Sequence, residues 1–244
     1  MLHNTAGIVL RNVKYGETSV VVTVFTELFG IQSYLINGVR TGSAKTSSKA
    51  GMLQPGCILE MIVYHSELKN LQRVREIKWK ILYRQIFFDV RKNAVALFMV
   101  ELLLRCLKQP EPQPDLFLFS EDAFTQLDAA DETITANFPL YFMLHLAHFF
   151  GFRIHDDFSE RNSILDLEEG NFVGERPSHP HYLEGQLSEI SSHLLKVMQP
   201  FELRQFRLNR EIRKQLLQAY VSYYTFHISG FGVLKSIPVL QEIF

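Results

Sequence analysis

Apolar residues occur in short runs through the first third of the chain and in long stretches with helical spacing through the rest. Up to about residue 80, "TAGIVLRNV", "SVVVTVFT", "IQSYLIN", "CILEMIVYHS" and "LQRVREIKW" are brief and rich in β-branched residues, and they predict five strands. The intervening "KYGET" and "ELFG" are turn-like, and so is the loop "NGVRTGSAKTSSKAG" at 37–51. In the fifth run Leu71, Val74 and Ile77 recur every three positions rather than two. That spacing predicts a bulge or irregular register. Five strands in so short a span fit a small closed barrel such as the OB-fold, and an SH3-like barrel fits the same count.

From residue 81 the pattern becomes helical. "NAVALFMVELLLRCLK" is apolar nearly all round, with Glu101, Arg105 and Lys108 as a thin polar stripe, which predicts a helix buried in a bundle. Three prolines in "PEPQPD" end it. "LFLFSEDAFTQLD", "FPLYFMLHLAHFF" and "REIRKQLLQAYVSYYTFHI" predict three more helices, the last with Asn209 as N-cap. Residues 153–181 are polar with little periodicity and read as an ordered excursion or long loop. The expectation is an α+β protein of two domains: a five-stranded barrel at 1–80, then a mostly α-helical domain at 81–244.

Composition narrows the function. With 47% hydrophobic residues and 20 Phe in 244, the chain is too apolar for disorder. The N-terminal "MLHNTAGIVLRN" lacks the pattern of a secretion signal, and Ala94 to Leu107 is interrupted by Glu101 and Arg105, so a cytoplasmic chain that spans no membrane is expected. Cys57 and Cys106 stand apart in apolar segments, as buried thiols of a reducing compartment would. The net charge of −1 hides an asymmetry. Residues 1–80 carry ten Lys/Arg against five Glu, and the remainder fifteen against twenty-one Asp/Glu. Opposite signs on the two parts imply different partners.

No motif proposes catalysis. "GSAKTSSKAG" lacks the Gly that a phosphate-binding P-loop places before Lys, since Ala44 precedes Lys45. His145 and His148 share a helix face with no matching carboxylate and read as packing residues. His155, Asp156, Asp157, His179 and His181 have the chemistry of a metal site, although a surface loop carries such residues by default.

A local run is more specific. In "KYGETSVVVTVFTELFGIQSYLINGVR" followed by "LQPG", Tyr15-Gly16-Glu17-Thr18, Gly30, Gly38-Val39-Arg40 and Leu53-Gln54-Pro55 resemble the N-terminal domain of the recombination mediator family RecO. "FFGFR" (149–153), "LDLEEGNFV" (165–173) and "LKS" (234–236) continue the likeness over nearly the whole chain. The resemblance implies an OB-fold joined to a helical domain, with neither cofactor nor catalysis. It also implies binding of single- and double-stranded DNA, annealing, and action with RecR in a bacterial, nucleoid-associated setting. Contact with the acidic, Phe-ending C-terminal tail of single-stranded DNA-binding protein would let a RecA-type recombinase load. Many members of that family carry four zinc-binding cysteines where this chain has 153–181, and none occurs there. No structural zinc is therefore expected, with Phe158, Ile164, Leu165, Leu167, Phe172 and Val173 holding the segment instead.

On that footing the DNA-contacting candidates are Arg40, Lys45 and Lys49 in the loop, extended by Arg11, Lys14, Arg73, Arg75 and Lys78 on the strands. Tyr15, Phe29 and Tyr34 are either base-stacking or core aromatics. For the partner tail the candidates are Arg204, Phe206, Arg207, Arg210 and Lys214, in a basic segment of an otherwise acidic domain. Cations at the start of the last long helix oppose its dipole, as residues kept for a partner would. The competing readings are a non-catalytic protein-interaction adaptor whose barrel is not the main DNA contact, and an enzyme built on the His/Asp excursion.

Overall fold

The computed structural model describes residues 1–39 and 49–244, and these form two compact units: 1–84 with 100–125, and 85–99 with 126–244. The first unit is built on five strands, β1 (Leu2–Tyr15), β2 (Ser19–Thr26), β3 (Gly30–Ile36), β4 (Ile58–Tyr64) and β5 (Leu71–Trp79). They close a barrel in the order β1-β2-β3-β5-β4, with β1 pairing back onto β4 and β3 lying parallel to β5. This is an OB-fold-like barrel.

β1 is longer than its apolar run because it serves two neighbours. Leu2 to Ile8 pair with β4, and Gly7 to Tyr15 pair with β2. Between Val9 and Arg11 the register against β2 slips, leaving Leu10 as an extra, buried residue that bends the strand. A second slip occurs where β4 advances from Ile62 to Val63 while β5 skips Arg75, the irregularity that the three-residue spacing predicts. The facing of β5 differs from the apolar pattern, however. Leu71 is exposed and Gln72 is buried, because the Gln72 amide donates to the carbonyls of Ser66 (2.8 Å) and Lys69 (2.6 Å) and accepts from Ser66 N–H (3.1 Å). A fully bonded amide costs little to bury. Here it fixes the β4–β5 loop.

The barrel interior holds Val9, Val22, Val24, Tyr34, Leu59, Met61 and Val63, whereas Ile8, Phe25 and Ile58 are buried on the barrel's outer side. Helix α1 (Val90–Cys106) and helix α2 (Pro114–Ala129) each contribute part of their length to this unit. Phe117 of α2 meets Phe25 edge-on at 5.5 Å, and Lys80 pairs with Glu121 at 2.7 Å. Burial pushes the Cys57 thiol up to about 12 and raises that of Cys106 as well.

In the second unit, helix α3 (Glu132–Phe149) is buried on most of its faces. It starts one and a half turns before the predicted "FPLYFMLHLAHFF" because Asp131 caps it, accepting from Ile134 N–H at 2.9 Å, and Pro139 is accommodated within it. Helix α4 (Gln186–Leu195), a 3₁₀ turn (Pro200–Gln205), helix α5 (Arg210–His227) and helix α6 (Ser236–Ile243) complete the helical part. Asn209 caps α5 as the sequence predicts, accepting from Ile212 N–H at 2.9 Å. Three tyrosines of α5 are buried with their hydroxyls bonded: Tyr220 to Ser191 Oγ (2.9 Å), Tyr223 to the Phe152 carbonyl and Tyr224 to that of Met143 (2.6 Å).

The excursion is ordered by a small sheet, β6 (Ile164–Asp166), β7 (Asn171–Val173) and β8 (Tyr182–Leu183), in the order β7-β6-β8. Ile164, Leu165, Leu167 and Phe172 are buried, and Phe158 meets Phe172 edge-on. The turn after β6 is tied by the Asp166 carboxylate, which accepts from the N–H groups of Glu168 and Glu169.

Gly30, which opens β3, has φ of 62°, and a Cβ there would run into the Glu111 backbone. Gly16 has φ of 63° with nothing within 4 Å. Gly30→Ala is expected to lose at least about 2 kcal/mol of unfolding free energy, and Gly16→Ala only about 1 kcal/mol. Chemical denaturation of the two variants would check the difference, and equal losses would disprove the close approach at Gly30.

Candidate nucleic-acid interface

Cross-strand partners in a sheet point to the same side, so the registers show which side chains share the barrel's outer face. One row runs Arg11, Thr23, Ser33, Leu71, and the next Val13, Val21, Leu35, Arg73, Tyr64. Val13, Leu71 and Tyr64 are exposed large apolar side chains, so the two rows place guanidinium groups among apolar and aromatic surfaces. A nucleic-acid backbone needs the first kind of group and its bases the second.

Beside these rows lies a cleft of ≈ 420 Å³, lined on one wall by Thr23, Gln32 and Ser33 and on the other by the β4–β5 loop, with Glu67, Lys69 and Asn70, and by Lys108, so that one carboxylate stands among two ammonium groups. Its amides, hydroxyls and ammonium groups suit hydrogen bonding to bases and phosphate. The loop wall is the one that Gln72 holds. At its edge the ring of Phe29 stacks on His65 with centroids 3.9 Å apart and planes 12° from parallel, and His3 meets Phe29 edge-on at 5.2 Å. Partial burial, and then the nearby His3, lower the His65 pKa and favour its neutral form.

The sequence candidates divide. Arg11 and Arg73 belong to the shared outer face. Lys14 is exposed near the end of β1, and Arg75 is the exposed extra residue of the β5 bulge. Lys78 is exposed, with its ammonium paired to Glu76 at 3.0 Å. Lys49 is exposed in a single helical turn at 49–52, whereas Arg40 and Lys45 lie outside the described residues. Tyr34 is fully buried and cannot stack on a base. Phe29 has one face covered by His65, and Tyr15 is exposed. Gln32, Ser33, Tyr64, Lys69, Asn70 and Lys108 lie outside the sequence candidates, four of them because they carry no charge and the two lysines because their place beside the cleft depends on the fold. The adjacent polar pair Gln32-Ser33 inside an apolar strand is the signal that marks the cleft wall.

In the helical unit, Arg210, Lys214 and also Arg213 rim a shallow apolar groove formed by Pro139, Leu140, Leu217 and Leu240. Two of these cations already have internal acceptors. Arg210 donates to the Gln241 carbonyl, and Arg213 donates to those of Leu208 and Phe244. Their position at the start of α5 is thus explained in part by bonds to the end of α6. Arg204 pairs with Asp131 at 2.7 Å, Phe206 lines a separate cleft, and Arg207 is exposed.

The His/Asp set of the excursion is dispersed. Asp156 accepts from Ser192, Asp157 accepts from Phe172 N–H, His179 lies 3.3 Å from Asp166, and the His181 ring rests against Phe226. Among the described residues no three His, Cys, Asp or Glu side chains are placed to hold a metal, and no helix is long and apolar enough to cross a membrane.

Comparison with known proteins identifies the family to which this barrel belongs. The family model "Recombination protein O N terminal" matches residues 1–83, and "Recombination protein O C terminal" matches 88–236. The chain belongs to the RecO family. Relatives described as DNA repair protein RecO include one from Phocaeicola vulgatus, 30% identical over 244 residues and the whole of both chains. Another from Bacteroides fragilis is 32% identical over 247 residues, again with both chains covered in full. A third, from Flavobacterium johnsoniae, is 31% identical over 243 residues and 98% of each chain. As a RecO-family member this is a DNA repair protein, and its barrel is the family's N-terminal module.

In an NMR titration the His65 imidazole is expected to protonate below the ordinary value of about 6.5. His3→Gln should move it back upward, because one repelling neighbour is removed. A His65 midpoint at or above the ordinary value would contradict the half-buried stacked arrangement.

Proposed function

We propose that the outer face of the barrel, with the 37–51 loop, binds single- and double-stranded DNA and brings complementary strands together for annealing. With RecR as partner, the protein helps a RecA-type recombinase load onto DNA coated by single-stranded DNA-binding protein, in the bacterial cytoplasm at the nucleoid. The observation that carries this reading is the pair of register rows that set Arg11 and Arg73 among the exposed Val13, Leu71 and Tyr64. Each guanidinium neutralises a phosphate and releases counterions, and the aromatic ring takes a base. No step of this work makes or breaks a covalent bond.

The groove of α3, α5 and α6 supports a second contact. Its apolar floor and rim of Arg210, Arg213 and Lys214 complement a carboxylate-rich peptide ending in an aromatic residue, the chemistry of the tail of single-stranded DNA-binding protein. The same groove also favours the adaptor reading, in which protein contacts dominate and the barrel's DNA contact is incidental.

Affinity for a fluorescent single-stranded oligonucleotide across a salt series separates these readings. Wild type should show a steep negative slope of log affinity against log salt. Arg11→Ala with Arg73→Ala, or Arg40, Lys45 and Lys49→Ala, should each flatten it by about 0.7 per lost phosphate contact. Slopes unchanged in both variants would favour the adaptor. Tyr64→Ala should weaken binding by about 1–3 kcal/mol per base unstacked. Tyr34→Phe, inside the barrel, should leave affinity unchanged.

For the groove, Lys214→Glu is expected to weaken an acidic, Phe-ending peptide roughly tenfold, a change of about 1.4 kcal/mol, with the helical circular dichroism unaltered. Fluorescence anisotropy of the labelled peptide measures it. Equal affinity in the variant would remove Lys214 from the contact.

A further inference from the structure

A second cleft, of ≈ 510 Å³, opens where α3 ends. It is bounded by Leu144, His145 and His148 of that helix, by the segment Arg153–Asp156 that follows, by Leu195 at the end of α4 and by Met198 beyond it. We propose that this cleft is a binding site for a phosphate ester of nucleotide size, built within the helical unit and independent of the barrel's DNA face.

Among the described residues Asp156 is the only carboxylate lining the cleft, and its two oxygens are already used: one accepts from Ser192 Oγ at 2.7 Å and the other pairs with Lys196 Nζ at 3.2 Å. Removing it from the account leaves one guanidinium and three imidazoles. Arg153 is exposed and has no carboxylate partner among the described residues. His148 and His155 are likewise exposed beside the cleft. The third imidazole differs, because burial lowers the pKa of His145, which also bonds to the Val197 backbone. It remains a neutral ring in the wall. The polar side of the cleft thus offers a guanidinium and imidazole nitrogens with no free anion, and its complement is an oxyanion.

A helix C-terminus ordinarily opposes an anion. Here the last carbonyls are already engaged: that of Ala147 accepts from the N–H groups of Phe150 and Phe152, and that of His148 accepts from Gly151 N–H. The remaining wall is aliphatic, formed by Leu144, the buried Ile154, Leu195 and Met198, whose thioether side chain is 71% exposed at the lip. An unbranched, polarizable side chain adapts to a flat group. The volume lies within the ~300–1,000 Å³ of small-ligand pockets. A tetrahedral phosphate on the cationic side with a base along the aliphatic wall satisfies both surfaces. A free nucleotide and the 5′-phosphorylated end of a strand share that chemistry.

The test uses the full chain, with dAMP and inorganic phosphate as probes and the imidazole Cε1–H signals as the readout. Saturable shifts of His148 and His155 are expected. Arg153→Gln should weaken dAMP at least tenfold, and so should Met198→Glu, which places an anion at the lip. Both positions are exposed, so neither change should disturb folding. Tighter binding of the dinucleotide pTpT than of dAMP would assign the site to strand ends, and the reverse order would assign it to free nucleotides. Shifts that fail to saturate, or wild-type affinity in Arg153→Gln, would each overturn the proposal.

Discussion

Closure of the barrel depends on a single strand having two hydrogen-bonded neighbours that point it in different directions. A five-stranded sheet is too narrow to curl smoothly into a cylinder, and its strands must tilt and bend to bring the last edge to the first. β1 does this at Leu10, where one extra residue turns the strand from β4 toward β2. The parallel pairing of β3 with β5 completes the ring. Because an extra residue reverses the alternation on one side of itself, the bulge also decides which β1 residues face outward. Arg11 and Val13 join the outer rows for that reason. Binding chemistry and barrel geometry therefore share one backbone irregularity.

A second theme is the use of polar side chains as internal struts. Gln72 holds the β4–β5 loop from inside the barrel, Asp166 ties the turn of the small sheet, and Asn137 of α3 donates to the carbonyls of Leu203 and Phe206. Each satisfies backbone groups that would otherwise be stranded at loop ends. This arrangement fixes irregular segments without lengthening the regular ones. It also explains why the 153–183 region is ordered although its sequence has little periodicity.

Much of the architecture is legible along the chain because it rests on local patterns. Strand runs, the irregular spacing in β5, the Asn209 cap and the apolar residues of the excursion all follow from short-range rules. The failures have a common origin in contacts distant in sequence. The exposure of Leu71 and burial of Gln72 follow from the bonds of Gln72 to a loop, which spacing cannot reveal. The length of β1 follows from two partners, only one of which is its hairpin neighbour. The start of α3 is set by the Asp131 cap, ahead of the apolar run that marks its middle. At the interface, basic residues are visible as letters but their shared face is not. Arg11 and Arg73 come together only through the register of four strands. Lys78 and Arg204 look available in sequence and turn out to have acidic neighbours at 3.0 and 2.7 Å.

The two cysteines give the molecule an internal reporter. Cys57 and Cys106 are both buried, both belong to the first compact unit, and their thiols are held in the poorly nucleophilic protonated form. The second unit contains none of the chain's cysteines. Alkylation by a thiol reagent therefore has to wait for the barrel unit to open, and the helical unit contributes no background. The rate of modification in the native protein counts openings of one half of the molecule alone.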